Sequence, residues 1–242
     1  MQSTEFYDRL ARAFDVMTDW PARLAFEMPF IQRTLNQQNA RSVLDTACGT
    51  GWHAIALAQK GYTTAGCDAS PAMIERARTN AAKAGVNVRF ETADFQRLDL
   101  FPEKFNAILC LGNSLPHLLS REELLEAFGQ IFGRLEHGGV VILHNLNYDL
   151  RLKTKPRFAD YGAQFITFHT ALFERKNPKE STQTPSWSVE VNSTLQRPWL
   201  SRELDDALTQ VGFGDIRHFG GLDGSAYEKE KSGDLVIVAQ AR

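Results

Sequence analysis

The run Val43-Leu44-Asp45-Thr46-Ala47-Cys48-Gly49-Thr50-Gly51 constrains the fold more than any other part of the chain. An apolar stretch ends in a carboxylate, a turn of small residues with two glycines follows, and Trp52 to Lys60 then has helical composition. Strand, tight turn and helix in that order open a βαβ unit, in which glycines let a nucleoside ligand approach bare backbone. Gly49 and Gly51 remove side chains there and allow left-handed backbone. A Gly-x-Gly pair alone also occurs in plain turns, so its neighbours decide what it means.

The next apolar stretch, Thr63-Thr64-Ala65-Gly66-Cys67, ends at Asp68. This acid follows the turn at the spacing where a ribose-binding carboxylate is expected. The turn lacks the Gly-x-x-x-x-Gly-Lys-Ser/Thr pattern of a phosphate loop, and Asp45 beside it would repel a pyrophosphate. Asp45 and Asp68 together suit a nucleoside that carries a positive centre. S-adenosylmethionine, with its sulfonium and ammonium groups, is such a ligand.

Beyond these units, strands and helices continue to alternate. Gly61 and Gly85 close helices over 52–60 and 71–83, with Ser70 and Pro71 opening the second. Val86–Thr92 and Phe105–Leu111 read as strands, the latter apolar on both faces as a central parallel strand should be. Ser120 and Glu123 form a capping box for a helix over 120–135, and Gly138-Gly139 leads to a strand at Val140–His144. This rhythm predicts an α/β fold with a doubly wound, Rossmann-like sheet of seven strands. Residues 3–35 come before the first strand and place Phe6, Leu10, Phe14 and Met17 at helical spacing, interrupted at Pro21; they predict a helical lid. After 147, residues 163–173 and 187–195 are rich in β-branched and aromatic side chains and flank a polar loop, Lys176–Ser186. They predict a β-rich insertion or a cover over the substrate. A helix from Ser201 to about Val211 and a strand at Leu235–Gln240 follow. A single domain is expected over 1–242, with a lid at 1–38, a cofactor-binding half at 40–147 and a substrate-side half at 148–242.

Composition narrows the partners. A net charge of −2 over 242 residues argues against a nucleic-acid footprint, which needs a basic face. Arg151, Lys153, Lys155 and Arg157 form a local basic cluster that reads as a solvated loop. Cys48, Cys67 and Cys110 show neither CxxC nor Cys/His spacing, so no metal is expected, and unpaired thiols suit a reducing cytoplasm. With no signal-like stretch and no run of transmembrane length, a cytoplasmic location without a membrane partner is the expectation. The expected partner is a small-molecule substrate, bound by a monomer or homo-oligomer.

Taken together, Asp45–Gly51, Asp68-Ala69-Ser70-Pro71-Ala72-Met73 and Ala93-Asp94 resemble the class I S-adenosylmethionine-dependent methyltransferases over roughly residues 40–150. The resemblance implies S-adenosylmethionine as cofactor and S-adenosylhomocysteine as product. It places the ligand against Asp45, Cys48, Gly49, Gly51, Asp68, Ala69 and Asp94. Side-chain chemistry agrees: Asp68 can accept two ribose hydroxyls, although it can equally cap the helix that follows. Asp94 can accept from the adenine amino group, and Met73 and Phe95 can cover the ring faces, Met73 having plain helix packing as its other reading. At the tip of strand four, the Leu111 carbonyl or Asn113 can hold the methionine end or the substrate, and His117 can face the cleft.

A narrower resemblance rests on Ile108–Ser114 with His117, and on Asn147-Tyr148-Asp149, which are similar to the glycine and sarcosine N-methyltransferases. It implies that Asn147 helps hold an amino-acid substrate and that a downstream arginine clamps the substrate carboxylate. Where that arginine is expected, the chain reads Gln164-Phe165-Ile166-Thr167-Phe168-His169; Arg157 and Arg197 are the substitutes. Phe6–Ala11 with Asp19-Trp20 resembles the lid of small-molecule methyltransferases and implies that Tyr7 and Trp20 line the sulfonium end, where aromatic faces favour a cation. The expected activity is in-line methyl transfer to a small molecule, at an amine or other nitrogen. An oxygen or carbon acceptor, with His117 or His169 as base for oxygen, is one alternative; a non-catalytic S-adenosylmethionine-binding module is another.

Overall fold

The computed structural model describes residues 3–156, 159–176 and 186–242. Two helices come first, α1 (Ser3–Met17) and α2 (Trp20–Gln37). Phe6, Leu10 and Ala11 recur at helical spacing and form the buried face of α1. Asp19 opens α2 by accepting a hydrogen bond from the Ala22 amide, so Pro21 begins a second helix instead of kinking the first.

Then follow β1 (Ser42–Thr46), α3 (Trp52–Gln59), β2 (Thr63–Asp68), α4 (Pro71–Ala84), β3 (Arg89–Thr92), β4 (Phe105–Cys110), α5 (Arg121–Arg134) and β5 (Leu135–Leu146). After α6 (Tyr148–Thr154) come β6 (Ala159–Tyr161), β7 (Ile166–Lys176) and β8 (Ser186–Gln196), then α7 (Ser201–Val211), β9 (Phe213–Phe219) and β10 (Asp234–Ala241). The main sheet has seven strands in the order β3-β2-β1-β4-β5-β10-β9. It is parallel through β5, and β10 runs antiparallel to both β5 and β9. Side chains alternate cleanly between its faces. Leu44, Ile108, Val141 and Ile237 join the layer containing α5 and α7, whereas Val43, Leu109, Ile142 and Val236 meet α2 and α3.

The expected β-rich insertion is a separate antiparallel sheet, β6-β7-β8. Most of the polar loop at Lys176–Ser186 lies outside the described residues. Helix α1 bridges the two sheets. Its Asp8 reaches the start of α4, accepting from Ser70 Oγ at 2.5 Å, and its Arg12 pairs with Glu190 of β8 at 2.7 Å. The lid therefore sits over the C-terminal ends of the parallel strands, where ligands bind in open α/β sheets.

Candidate active site

The turn after β1 is a chain of left-handed residues, with φ of +54° at Ala47, +55° at Gly49 and +83° at Gly51. Their amides are pinned from the next strand: Cys48 N donates to Cys67 O at 2.8 Å and Gly49 N to Asp68 Oδ2 at 2.9 Å. Gly49 faces a cavity of about 310 Å³. Gly51 does not line it. A Cβ on Gly51 would stand 2.7 Å from the Phe90 ring and 2.9 Å from Ala77 Cβ, so this glycine serves the packing beneath the loop.

Asp45, Cys48, Asp68 and Ala69 line the floor of the cavity, and Met73, Asp94 and Phe95 line the end nearest β3. Asp68 also accepts from the Ser70 amide, so it organises the start of α4 while facing the cavity. Burial raises its carboxyl against the opposing pull of the Ser70 and Gly49 amides. Burial also raises the Asp45 carboxyl to about 6; the Asp68 charge adds to the effect, and His53, Arg23 and the Ala54 amide offset part of it. Asp45 Oδ2 is buried with no hydrogen-bond partner. An orphaned, acceptor-only oxygen beside the cavity fits a cationic donor. Met73 is 1 % exposed and takes both of its expected roles, packing under Phe6 and Leu10 of α1 while touching the cavity. Burial, then the charges of Asp45 and Asp68, pushes the thiols of Cys48 and Cys67 up, which makes them poor nucleophiles.

The roof comes from the lid. Tyr7 and Trp20 line the cavity, as do Leu111 and His117 from the end of β4. The Tyr7 hydroxyl meets His117 Nε2 at 3.0 Å. Burial drives the phenol above its ordinary range and the imidazole down to about 4, with partial compensation from the Leu195 carbonyl. Both groups are uncharged near neutrality.

Other expected residues fall elsewhere. Asn147 is fully buried as the N-cap of α6; its amide donates to the carbonyls of Lys229 and Ser232, and its oxygen accepts from Leu150 N and Tyr227 OH. It is spent on joining β5 to the loop before β10 and does not line the cavity. Asn113, in left-handed backbone, accepts from Leu146 N and donates to Tyr148 OH, so it too faces away. His169 bonds Ser193 and Asp160 on the small sheet. Arg197 stacks over Trp199 at 3.8 Å and pairs with Glu203. Arg157 lies outside the described residues.

Residues not singled out from the sequence complete the wall. Arg23 faces the cavity beside Gly112, stacked on Trp20 at 5.0 Å and held by Glu27 at 2.9 Å. Glu27 also binds His53, which lines the cavity from the first turn of α3. The Arg23/Glu27 spacing on one helix was the available signal. Ser114 lines the wall as well and donates to the Leu111 carbonyl.

Residues 43–139 match a family model described as a methyltransferase domain. A glycine/sarcosine N-methyltransferase from Aphanothece halophytica is 30% identical over 98% of this chain and 89% of its own length. The chain belongs to the S-adenosylmethionine-dependent methyltransferases. A second relative of this methyltransferase, a glycine/sarcosine N-methyltransferase from Parasynechococcus marenigrum, is 38% identical over 62% of the chain, a match that spans 53% of that relative. The fold matches the CcbJ methyltransferase of Streptomyces caelestis, with a TM-score of 0.76 at 20% identity over 100% of this chain and 99% of that one. It also matches an S-adenosylmethionine-dependent methyltransferase from Clostridium acetobutylicum, with a TM-score of 0.74 at 18% identity over 98% and 96%. The enzyme's methyl donor is S-adenosylmethionine, and the cavity fits it: orphaned Asp45 for a cation, Arg23 for a carboxylate and Asp68 for hydroxyls. Among the described residues, no three His, Cys, Asp or Glu side chains converge as a metal site, and no helix is long and apolar enough to cross a membrane.

Proposed function

We propose that this methyltransferase moves a methyl group onto the nitrogen of a small primary or secondary amine. The observation that carries the reading is the contact of the Tyr7 hydroxyl with His117 Nε2 at 3.0 Å, where the lid meets the end of β4 over the cavity. A neutral amine attacks without help from a base, whereas an oxygen nucleophile needs one whose pKa lies near the working pH. A histidine pushed down to about 4 is poorly matched to that task and well suited to accept a hydrogen bond. The glycine/sarcosine N-methyltransferase from Aphanothece halophytica supports the same assignment.

S-adenosylmethionine supplies an already activated methyl group on its sulfonium. The protein's part is alignment, which contributes on the order of 7–11 kcal/mol in well-oriented reactions. Asp68 receives the ribose hydroxyls, with Met73 and Phe95 on the adenine faces and Asp94 at its amino group. Asp45 receives the ammonium and Arg23 the carboxylate of the methionine end. Tyr7, His117 and Ser114 hold the amine in line with the methyl group. The cavity's modest volume of about 310 Å³ supports a small molecule as acceptor.

The test is incubation with isotope-labelled S-adenosylmethionine and a panel of amino acids, amines, aminosugars, phenols and heterocycles. Label on the nitrogen of a small amine supports the proposal. Label confined to oxygen or carbon overturns it. Tight S-adenosylhomocysteine binding with no transfer to any acceptor points to the binding-module reading.

A further inference from the structure

Asp15 stands near the end of α1 and is not among the residues that line the cavity, yet it accepts from four side-chain donors. Its Oδ1 takes Thr50 Oγ1 at 2.6 Å, Trp52 Nε1 at 3.0 Å and Trp20 Nε1 at 3.1 Å. Its Oδ2 takes Asn80 Nδ2 at 3.0 Å, and the same amide donates to the Thr50 carbonyl at 3.1 Å. The donors come from separate places: the glycine turn, the first residue of α3, the first residue of α2, and α4. Next to Asp15, the Phe14 ring lies 3.5 Å from where a Cβ on Gly49 would be. One end of the lid thus grips the turn that must present its backbone to the methionine end of the cofactor.

We infer that Asp15 is a positioning residue that makes docking of the lid and the cofactor-binding shape of the glycine turn a single event. Bonds from a carboxylate to several donors hold Thr50 and Trp52 in one arrangement, and the turn between β1 and α3 has no side-chain cap of its own, since Gly51 occupies the N-cap. Burial opposes the charge on Asp15, but the bonds from Thr50, Asn80, Trp52 and Trp20 together hold its carboxyl below the ordinary carboxylate value. A carboxylate is acceptor-only, so all its partners must be donors; an amide in its place would turn an N–H group toward some of them. Coupling of this kind is reciprocal: if the docked lid favours the ligand, the ligand favours the docked lid to the same extent.

The inference is tested with S-adenosylhomocysteine as probe, using hydrogen exchange of residues 5–17 and calorimetry on the full chain. In the wild type, saturating S-adenosylhomocysteine slows exchange in α1. In Asp15→Asn, affinity falls about ten- to a hundredfold, the scale of losing hydrogen bonds to a charged group. At a concentration that still saturates this variant, α1 gains little or no protection. Thr50→Val, which removes a single donor, gives a smaller loss, and the double variant loses less than the sum of the two. A purely structural role for Asp15 would lower thermal stability while leaving the ligand-induced protection of α1 intact. Wild-type affinity in Asp15→Asn, or full protection of α1 on saturation, overturns the inference. Additive losses with Thr50→Val do the same. None of these readouts depends on which acceptor is methylated, so they stand apart from the amine assignment.

Discussion

Asp45 has its carboxyl raised to about 6 by burial, against an ordinary value of 3.8. A raised acid favours the folded state while protonated, so its contribution is complete below pH 3.8 and is lost as pH rises through about 6. Two units correspond to about 3 kcal/mol at most. Asp45→Asn should therefore raise the melting temperature of the ligand-free protein at pH 7–8, with the gain over wild type vanishing near pH 4. The same variant should bind S-adenosylhomocysteine more weakly. In the wild type, affinity for that ligand should fall as pH drops through about 6, approaching tenfold per unit, because only the ionised carboxylate attracts the ammonium. Calorimetry across pH 5–8 checks both. Asp68→Ala should also lose affinity, with a modest drop in ligand-free stability, since the Gly49 and Ser70 amides lose their acceptor.

At the scale of elements, the glycine turn is supported from below as well as above. Gly51→Ala places a Cβ against Phe90 and Ala77 in left-handed backbone, and should cost about 1–3 kcal/mol in denaturant unfolding. Ser120→Ala removes half of the capping box on α5 and should cost about 1 kcal/mol in the same measurement. The elements that carry the site were legible in the sequence because each has a local signature. β1 and β4 are apolar runs ending at polar tips, and α4 and α5 open on Ser70 and Ser120. The unanticipated elements lack such signatures. β9 contains Asp215, Arg217 and His218 at the sheet edge, and α6 spans only seven residues. The resemblance to the glycine and sarcosine N-methyltransferases implied a substrate role for Asn147; here its side chain caps α6, a helix of only seven residues that leaves little pattern in the sequence. Arg23 was missed because its orientation depends on Glu27 and Trp20: the lid resemblance points Trp20 at the ligand, but the linear pattern does not tell which side chain of the next turn follows it.

For the whole molecule, the lid and the main sheet meet at one cavity, and Arg12 ties the lid to Glu190 of the small sheet, so ligand binding should stabilise the chain as a unit. S-adenosylhomocysteine at a hundred times its Kd should add about 2.7 kcal/mol. For a chain of this length, that corresponds to a rise of roughly 5–10 °C in melting temperature. A calorimetric scan with and without the ligand checks it. The strand order has a further consequence. β10 lies between β5 and β9, although it follows both in the chain. During synthesis, β5 waits with one edge bare and β9 has no neighbour until β10 has left the ribosome. A nascent chain that already holds the glycine turn and helices α1 to α5 thus still shows an unfinished, apolar seam at Val140, Ile142 and Leu143. That seam is where a chaperone would bind a half-made copy, and where two half-made copies would stick together.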